Sequence, residues 1–346
     1  MAVPGSKRDL GSVGGLFMVG LPGPRVDQEV RELVRGLGIG GVILFARNLD
    51  GPEQVWELTR DLQQEALAAG ELPLLIAVDQ EGGSVQRLKE PFTRIPAARD
   101  LGVGSTPQEV AALSRTVARE LALVGINMNL APVLDVARKP ECPLWGRSYG
   151  SDPEQVAAFG EAAIRGFLEG GVLPVAKHFP GLGDTVVDSH QVLPAAQDPD
   201  PERVVDLLPF RRAVAAGVPA IMTAHLQVPA WEVKTATLSP VAIKDWLRRG
   251  LGFEGVIITD DLEMGAVAGA AAVPAAACQA CGAGADLLLI CTQGEAAWEA
   301  AALIGRDPAL QQTVADSSRR LQEIRARVPR LPTDVKKVTA YFQGRG

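Results

Sequence analysis

Eight short, nearly continuous apolar runs recur along the chain with helix-like stretches between them, and no other feature narrows the possible folds as far. They are LFMVG (16–20), GVILFA (41–46), LLIAVD (74–79), INMNLAP (126–132), LPVAKH (173–178), AIMTAH (220–225), GVIITD (255–260) and ADLLLI (285–290). A strand covered by helices on both faces of a parallel sheet has no polar side, so it reads as an unbroken apolar run. The intervening stretches carry helix-start signals: GPEQV at 51, TPQEV at 106, DPEQV at 152, DPERV at 200 and SPVAI at 239. Proline is tolerated in a first helical turn because its missing N–H has no intrahelical partner there, and a preceding Ser, Thr or Asp can cap. Gly70, Gly125, Gly170 and Gly217 are expected to close helices. Eight strand–helix alternations predict a (β/α)8 barrel of the TIM type. A doubly wound open sheet is the alternative, weakened by the lack of a dinucleotide-type glycine fingerprint after the first strands.

Bulk properties fit one such barrel over residues 1–346, with a C-terminal amphipathic helix and basic tail over about 307–346 and no interdomain linker. Hydrophobic residues make up 47% of the 346, enough for a large core. The net charge of -7, from 34 basic and 41 acidic residues, argues against nucleic acid or an anionic membrane surface as partner. No apolar run is long enough for a membrane span, and MAVPGSKRDLGSVGG at the start lacks a signal-like apolar stretch, so the cytoplasm is the expected location. Cys278 and Cys281 form a CxxC within an Ala-rich stretch, without the second ligand pair a zinc site needs, and read as small core residues. No metal or other cofactor is expected, and the chain is expected to be a monomer or a weak homo-oligomer.

Barrel chemistry sits at the C-terminal ends of the strands. Those ends carry Asp79 and Arg87 in DQEGGSVQRL, Asp135 in APVLDV, Lys177 and His178, His225, and Thr259, Asp260 and Asp261. All three histidines of the chain lie at or just after a strand end. Each residue also has a plainer reading. Asp260 or Asp261 could cap a following helix. His225 could be a core histidine bonded to backbone, Arg147 a surface cation and Glu81 a structural carboxylate. Lys177 is harder to dismiss, since a buried ammonium needs an anion or a ligand beside it. His178 and His190 lie twelve apart with Asp188 between them, a spacing that fits metal binding poorly.

The segment KHFPGLGDTVVDSHQVLP (177–194) resembles the signature loop of the bacterial β-N-acetylglucosaminidases of glycoside hydrolase family 3. DQEGGSVQRL, APVLDV, GRSYG and VIITDDLEM are similar to further family motifs and occur in family order. The resemblance runs from about residue 15 to about 300. It implies that Asp260 is the catalytic nucleophile, with Asp261 a neighbour. It implies that Asp188 and His190 form an acid/base dyad on the loop after the fifth strand. It assigns Asp79, Arg87, Arg147, Lys177 and His178 to the non-reducing N-acetylglucosamine ring. The implied substrate is a terminal β-linked N-acetylglucosamine, in a cytoplasmic bacterial enzyme that of an N-acetylglucosaminyl muropeptide. The chain departs from the family loop at Leu182, where Gly-His-Gly is usual.

The chemistry suits the residues. Retaining hydrolysis needs a carboxylate at the anomeric carbon and an acid on the leaving oxygen. A histidine titrates near neutrality and can donate then accept a proton, and Asp188 can fix the tautomer of His190. Gly181 and Gly183 are expected to let the loop swing over the substrate. Three rivals use the same residues differently. A phosphorylase would pass the sugar to phosphate, which a histidine acid does not repel. A non-catalytic muropeptide binder would tolerate loss of Asp260, Asp188 or His190. An aldolase-type lyase would use Lys177 as a Schiff base, leaving the Asp188–His190 loop without a part.

Overall fold

Each of the eight apolar runs forms a strand, and all eight join in one parallel sheet. The strands are β1 (Phe17–Gly20), β2 (Gly41–Leu44), β3 (Leu75–Val78), β4 (Met128–Asn129), β5 (Leu173–Phe179), β6 (Ala220–Thr223), β7 (Val256–Ile258) and β8 (Leu288–Ile290). Their order in the sheet is β7-β6-β5-β4-β3-β2-β1-β8, the chain order turned around a ring. The ring closes between β7 and the start of β8, where Ile258 bridges Leu287 in parallel and Thr259 N donates to Leu287 O at 3.0 Å. The computed structural model describes residues 13–183, 185–186, 193–196, 204–265, 272–329 and 334–344. Within it the chain has the expected (β/α)8 barrel. Nearly every strand residue is buried, which is why the runs carry no polar alternation.

The helix signals act as read. Proline occupies the first position of the helices Pro52–Ala68, Pro107–Leu123 and Pro153–Glu169. Thr106 and Glu109 form a reciprocal capping box, and Asp152 accepts from Glu154 N at 3.1 Å. The Ser239 hydroxyl caps the Val241–Gly250 helix, which has π-type hydrogen bonding, by accepting from Ala242 N. The start expected at DPERV lies outside the described residues, and the helix is described from Val204. Gly70, Gly125 and Gly217 have positive φ after their helices, but at the fourth site the left-handed residue is Gly171 (φ 87°) and Gly170 stays helical (φ −82°). Cys281 is buried and Cys278 half-buried in the Val273–Ala283 helix. Among the described residues no helix is long and apolar enough to cross a membrane.

The C-terminal region differs from expectation. The expected amphipathic helix is present as Gln311–Arg325, after a 3-10 turn (Pro308–Leu310), but where a basic tail was expected a further helix, Val335–Gln343, follows. Asp334 caps that last helix, and its apolar positions Val338 and Phe342 are buried. The three-to-four-residue apolar spacing of that helix is masked in the sequence by Lys336 and Lys337 on its exposed side.

Candidate active site

The C-terminal ends of β3, β5 and β7 face one cavity of about 430 Å³. Asp79, Arg87, Arg147, Lys177, His178 and Asp260 all line it. Six of the eight expected site residues are therefore brought together. Asp188 and His190 lie outside the described residues.

A buried ion-pair network forms the floor. Lys177, 2% exposed, places Nζ 2.7 Å from Asp79 Oδ1 and 2.7 Å from Glu81 Oε1. Arg147 grips Glu81 through two bonds, Nε to Oε2 at 2.8 Å and Nη2 to Oε1 at 2.7 Å. Burial opposes the charge on Glu81, but the Lys177 ammonium and the Arg147 guanidinium outweigh it and bring the carboxyl down to about 2. Burial likewise opposes the charge on Lys177, while Asp79 and Glu81 raise its pKa above the ordinary value. The structural reading of Glu81 thus holds in one sense, since it anchors two expected sugar ligands, yet it also lines the cavity. Its signal was present: Asp79 and Glu81 are two apart in extended chain, and such residues share a face.

Lys177 and His178 are consecutive, so a regular strand would send them to opposite faces. Both line the cavity, and the β5–β6 pairing is irregular at this point, its register shifting between Ala176 and Phe179. The peptide bond between them is cis. Asp135 orients the histidine. Its Oδ2 lies 2.7 Å from His178 Nδ1 and accepts from His178 N at 3.2 Å. A carboxylate accepts, so Nδ1 carries the proton and Nε2 is left for the cavity. The other oxygen, Oδ1, accepts from Leu182 N at 2.6 Å. Asp135 is fully buried and was visible just after its strand, but its tie to His178 joins residues 43 apart in the chain and no spacing reveals it.

The described root of the loop after β5 is fastened. Gly181 N donates to His178 O, and Gly183 O accepts from Arg138 N. Gly181 has φ +115°, and a Cβ on Gly183 would lie 1.9 Å from Val136 O. These glycines are required here for backbone conformation and close approach, whereas the sequence suggested freedom to swing. Leu182 is buried with Ala137, Cys142 and Leu144 in a small apolar cluster.

Two carboxyls stand side by side after β7 and differ in environment. Asp260 Oδ1 accepts from Asp261 N at 2.8 Å. Burial pushes Asp260 up, but His225, His178, the Asp261 N–H and Lys177 together hold it below its ordinary value. Asp261 moves the other way, to about 6, because burial and the charges of Glu263 and Asp260 outweigh its bonds from Glu263 and Cys291. Asp261 takes the capping role, accepting from Glu263 N at 3.1 Å and Cys291 N at 3.3 Å. His225 is the core histidine of the plainer reading: Nε2 donates to Asp261 O at 2.8 Å, and Nδ1 lies 3.0 Å from the Thr237 hydroxyl.

Residues 9–330 match the family model for the glycosyl hydrolase family 3 N terminal domain. The chain belongs to glycoside hydrolase family 3. Within that family it groups with the β-hexosaminidases. It is 40% identical over 291 residues to a β-hexosaminidase of Alkalilimnicola ehrlichii, covering 82% of each chain. It is 37% identical over 341 residues to one of Neisseria meningitidis serogroup C, covering 95% of this chain and 93% of that protein. Native NagZ from Neisseria gonorrhoeae superposes with a TM-score of 0.80 at 33% identity, over 96% of this chain and 95% of the other. The β-N-acetylhexosaminidase from Beutenbergia cavernae gives 0.86 at 32% identity, over 94% of this chain and all (100%) of the other. The chain is accordingly a glycoside hydrolase.

Proposed function

We propose that the chain is a retaining exo-β-N-acetylglucosaminidase that works through a covalent glycosyl–Asp260 intermediate. The observation that carries this reading is Asp260 itself: a carboxyl at a strand end, facing the cavity, with its pKa held down. An ionised carboxylate in a fixed position is what attack on an anomeric carbon needs. Asp260 Oδ attacks the anomeric carbon as the bond to the leaving oxygen breaks, and His190 protonates that oxygen. In the second step His190 takes a proton from water, the water oxygen bonds to the anomeric carbon, and Asp260 leaves as carboxylate. Asp188 holds the His190 imidazole in the required tautomer. Asp79, Lys177, Arg147, Arg87 and His178 bind the ring hydroxyls and the acetamido group.

The sugar released is terminal β-linked N-acetylglucosamine, the substrate class named for several similar structures. We further read the natural substrate as cell-wall muropeptide fragments met in the cytoplasm during peptidoglycan recycling, with residues 1–346 acting as one catalytic unit. The test is turnover of 4-nitrophenyl β-N-acetylglucosaminide by wild type, Asp260→Ala and His190→Ala, with and without phosphate. An aryl leaving group needs little protonation, so His190→Ala should lose less on it than on a natural disaccharide. Asp260→Ala should abolish turnover on both, and full activity in that variant refutes the assignment. Sugar 1-phosphate as the main product would replace hydrolysis by phosphorolysis.

A further inference from the structure

The match to the family domain ends at residue 330, yet the Val335–Gln343 helix beyond it returns to the barrel. Its buried side chains are Val338 and Phe342, 0% and 7% exposed. It packs on the Pro52–Ala68 helix, where Thr339 Oγ1 donates to Glu53 Oε1 at 3.0 Å. The Phe342 ring meets Phe92 with centroids 4.6 Å apart. The Tyr341 hydroxyl donates to Glu120 Oε1 at 3.4 Å. The same carboxylate accepts from Thr93 N at 2.7 Å and Thr93 Oγ1 at 2.6 Å. The last helix therefore touches two consecutive positions of one loop, Phe92 directly and Thr93 through Glu120.

That loop begins at Arg87. On its inner side it is folded over two glutamines. Gln80 Oε1 accepts from Arg87 N and Leu88 N, both at 3.0 Å. Gln86 Nε2 donates to Leu88 O at 2.9 Å and Thr93 O at 3.1 Å. The Arg87 side chain is held far less firmly than its backbone. Its Nε is buried with no hydrogen-bond partner among the described residues, and Nη2 is 3.9 Å from Asp79 Oδ2. The guanidinium also lies over the Phe45 ring, 5.9 Å from its centroid, a contact that leaves it free to shift with the loop beneath it. The Gln80 and Gln86 bonds fix that loop from within, and the C-terminal helix presses it from outside.

We propose that the Val335–Gln343 helix is a clamp on the Arg87 loop, with Phe342 and Tyr341 as positioning residues for saccharide binding. They act through Arg87 and do not touch the sugar. The proposal rests on the reading of Arg87 as a sugar-binding residue. Releasing the clamp gives the loop additional conformations, and apparent affinity falls with the fraction that remains competent. The chemical step on bound substrate stays as it was, so the loss is read in KM.

The test uses the full chain and Phe342→Ala, Phe342→Leu, Arg87→Ala and the Phe342→Ala/Arg87→Ala double variant, below the melting temperature of all four. Hydrogen exchange is followed across residues 88–95, and kinetics with 4-nitrophenyl β-N-acetylglucosaminide. If about one loop in five stays competent, Phe342→Ala raises KM about 5-fold with kcat within about 2-fold. Exchange in 88–95 rises selectively, and Phe342→Leu restores most of both. The double variant should be no worse than Arg87→Ala alone, because both act on one interaction. Unchanged exchange in 88–95 overturns the clamp whatever Arg87 does. So does a raised exchange with unchanged KM, or an additive double variant, when Arg87→Ala alone raises KM. If Arg87→Ala leaves KM unchanged, the sugar-binding role of Arg87 fails first, and the positioning role falls with it.

Discussion

Replacing Glu81 by Gln tests the buried network in one substitution. The carboxyl sits at about 2 in place of 4.5, and its side chain is only 6% exposed. At roughly 1.4 kcal/mol per pH unit this corresponds to about 3 kcal/mol of stability at pH 7. The sign follows from a lowered folded-state pKa. The contribution is full above about pH 4.5 and is lost as pH falls through the range down to about 2. Urea denaturation of wild type and Glu81→Gln should therefore differ by about 3 kcal/mol at pH 7 and by about 2 kcal/mol at pH 3.5. Gln keeps the shape and one acceptor, so a cavity or a lost contact does not mimic this pH dependence. A difference that is the same at both pH values would refute the electrostatic account. A difference under about 1 kcal/mol at pH 7 would show that Lys177 and Arg147 find other partners at no cost.

Other consequences follow from single contacts. Asp261→Asn should stabilise the protein at pH 8 by about 3 kcal/mol, because a carboxyl raised from 3.8 to about 6 costs stability that builds above about pH 4 and is full above about pH 6. The gain should vanish below about pH 4 in thermal melts, where the carboxyl is protonated in both states. Asp135→Asn turns one of two accepting oxygens into a donor, so His178 Nδ1–H and Leu182 N–H can no longer both be satisfied, and KM for an N-acetylglucosaminide should rise on the order of 10-fold in steady-state assays. Leu182→His, which restores the usual family residue, buries a polar ring against Ala137, Cys142 and Leu144. It should cost about 1–3 kcal/mol in denaturant titration. Gly183→Ala should abolish activity or folding, since its Cβ would overlap Val136 O.

The barrel could be read from the chain because parallel strands leave a signal in consecutive residues: both faces are buried, so most positions are apolar and the polar exceptions gather toward the strand ends. Helix starts were legible for the same local reason, a cap and a proline within three residues. The site was legible as far as its residues sit at strand ends. What escaped depends on contacts across the fold. Asp135, in the segment after β4, acts on His178 in β5, and the irregular β5–β6 pairing beside Lys177 and His178 has no counterpart in composition. Glu81 was read as structural although its spacing from Asp79 put both on one face, because the two cations it meets, Lys177 and Arg147, come from distant segments. Gly170 and Gly171 are chemically identical, and only the packed helix end decides which takes the left-handed conformation. The last helix was hidden because two lysines dominate a segment whose apolar residues find their partners far away in sequence, among them Phe92 and the Pro52–Ala68 helix.

The charge arrangement also explains why the cavity holds so many ionised groups for a neutral sugar. Lys177 and Arg147 are committed to Asp79 and Glu81. Among the described residues Asp260 takes part in no ion pair, although His225, His178 and Lys177 favour its charge from further away. A carboxylate gripped by a guanidinium is held in two bonds and is a poor nucleophile, whereas one favoured only by distant charge is ionised and free to attack. Glu81 thus has two effects in the proposed mechanism: it fixes the sugar-binding cations, and it keeps them off Asp260. Glu81→Gln should then lower kcat as well as raise KM, because the freed cations turn toward the nucleophile. Glu81→Asp, which keeps the charge on a shorter arm, should raise KM with a smaller loss of kcat. Equal losses of kcat in both variants would show that reach, and not charge, is what Glu81 contributes.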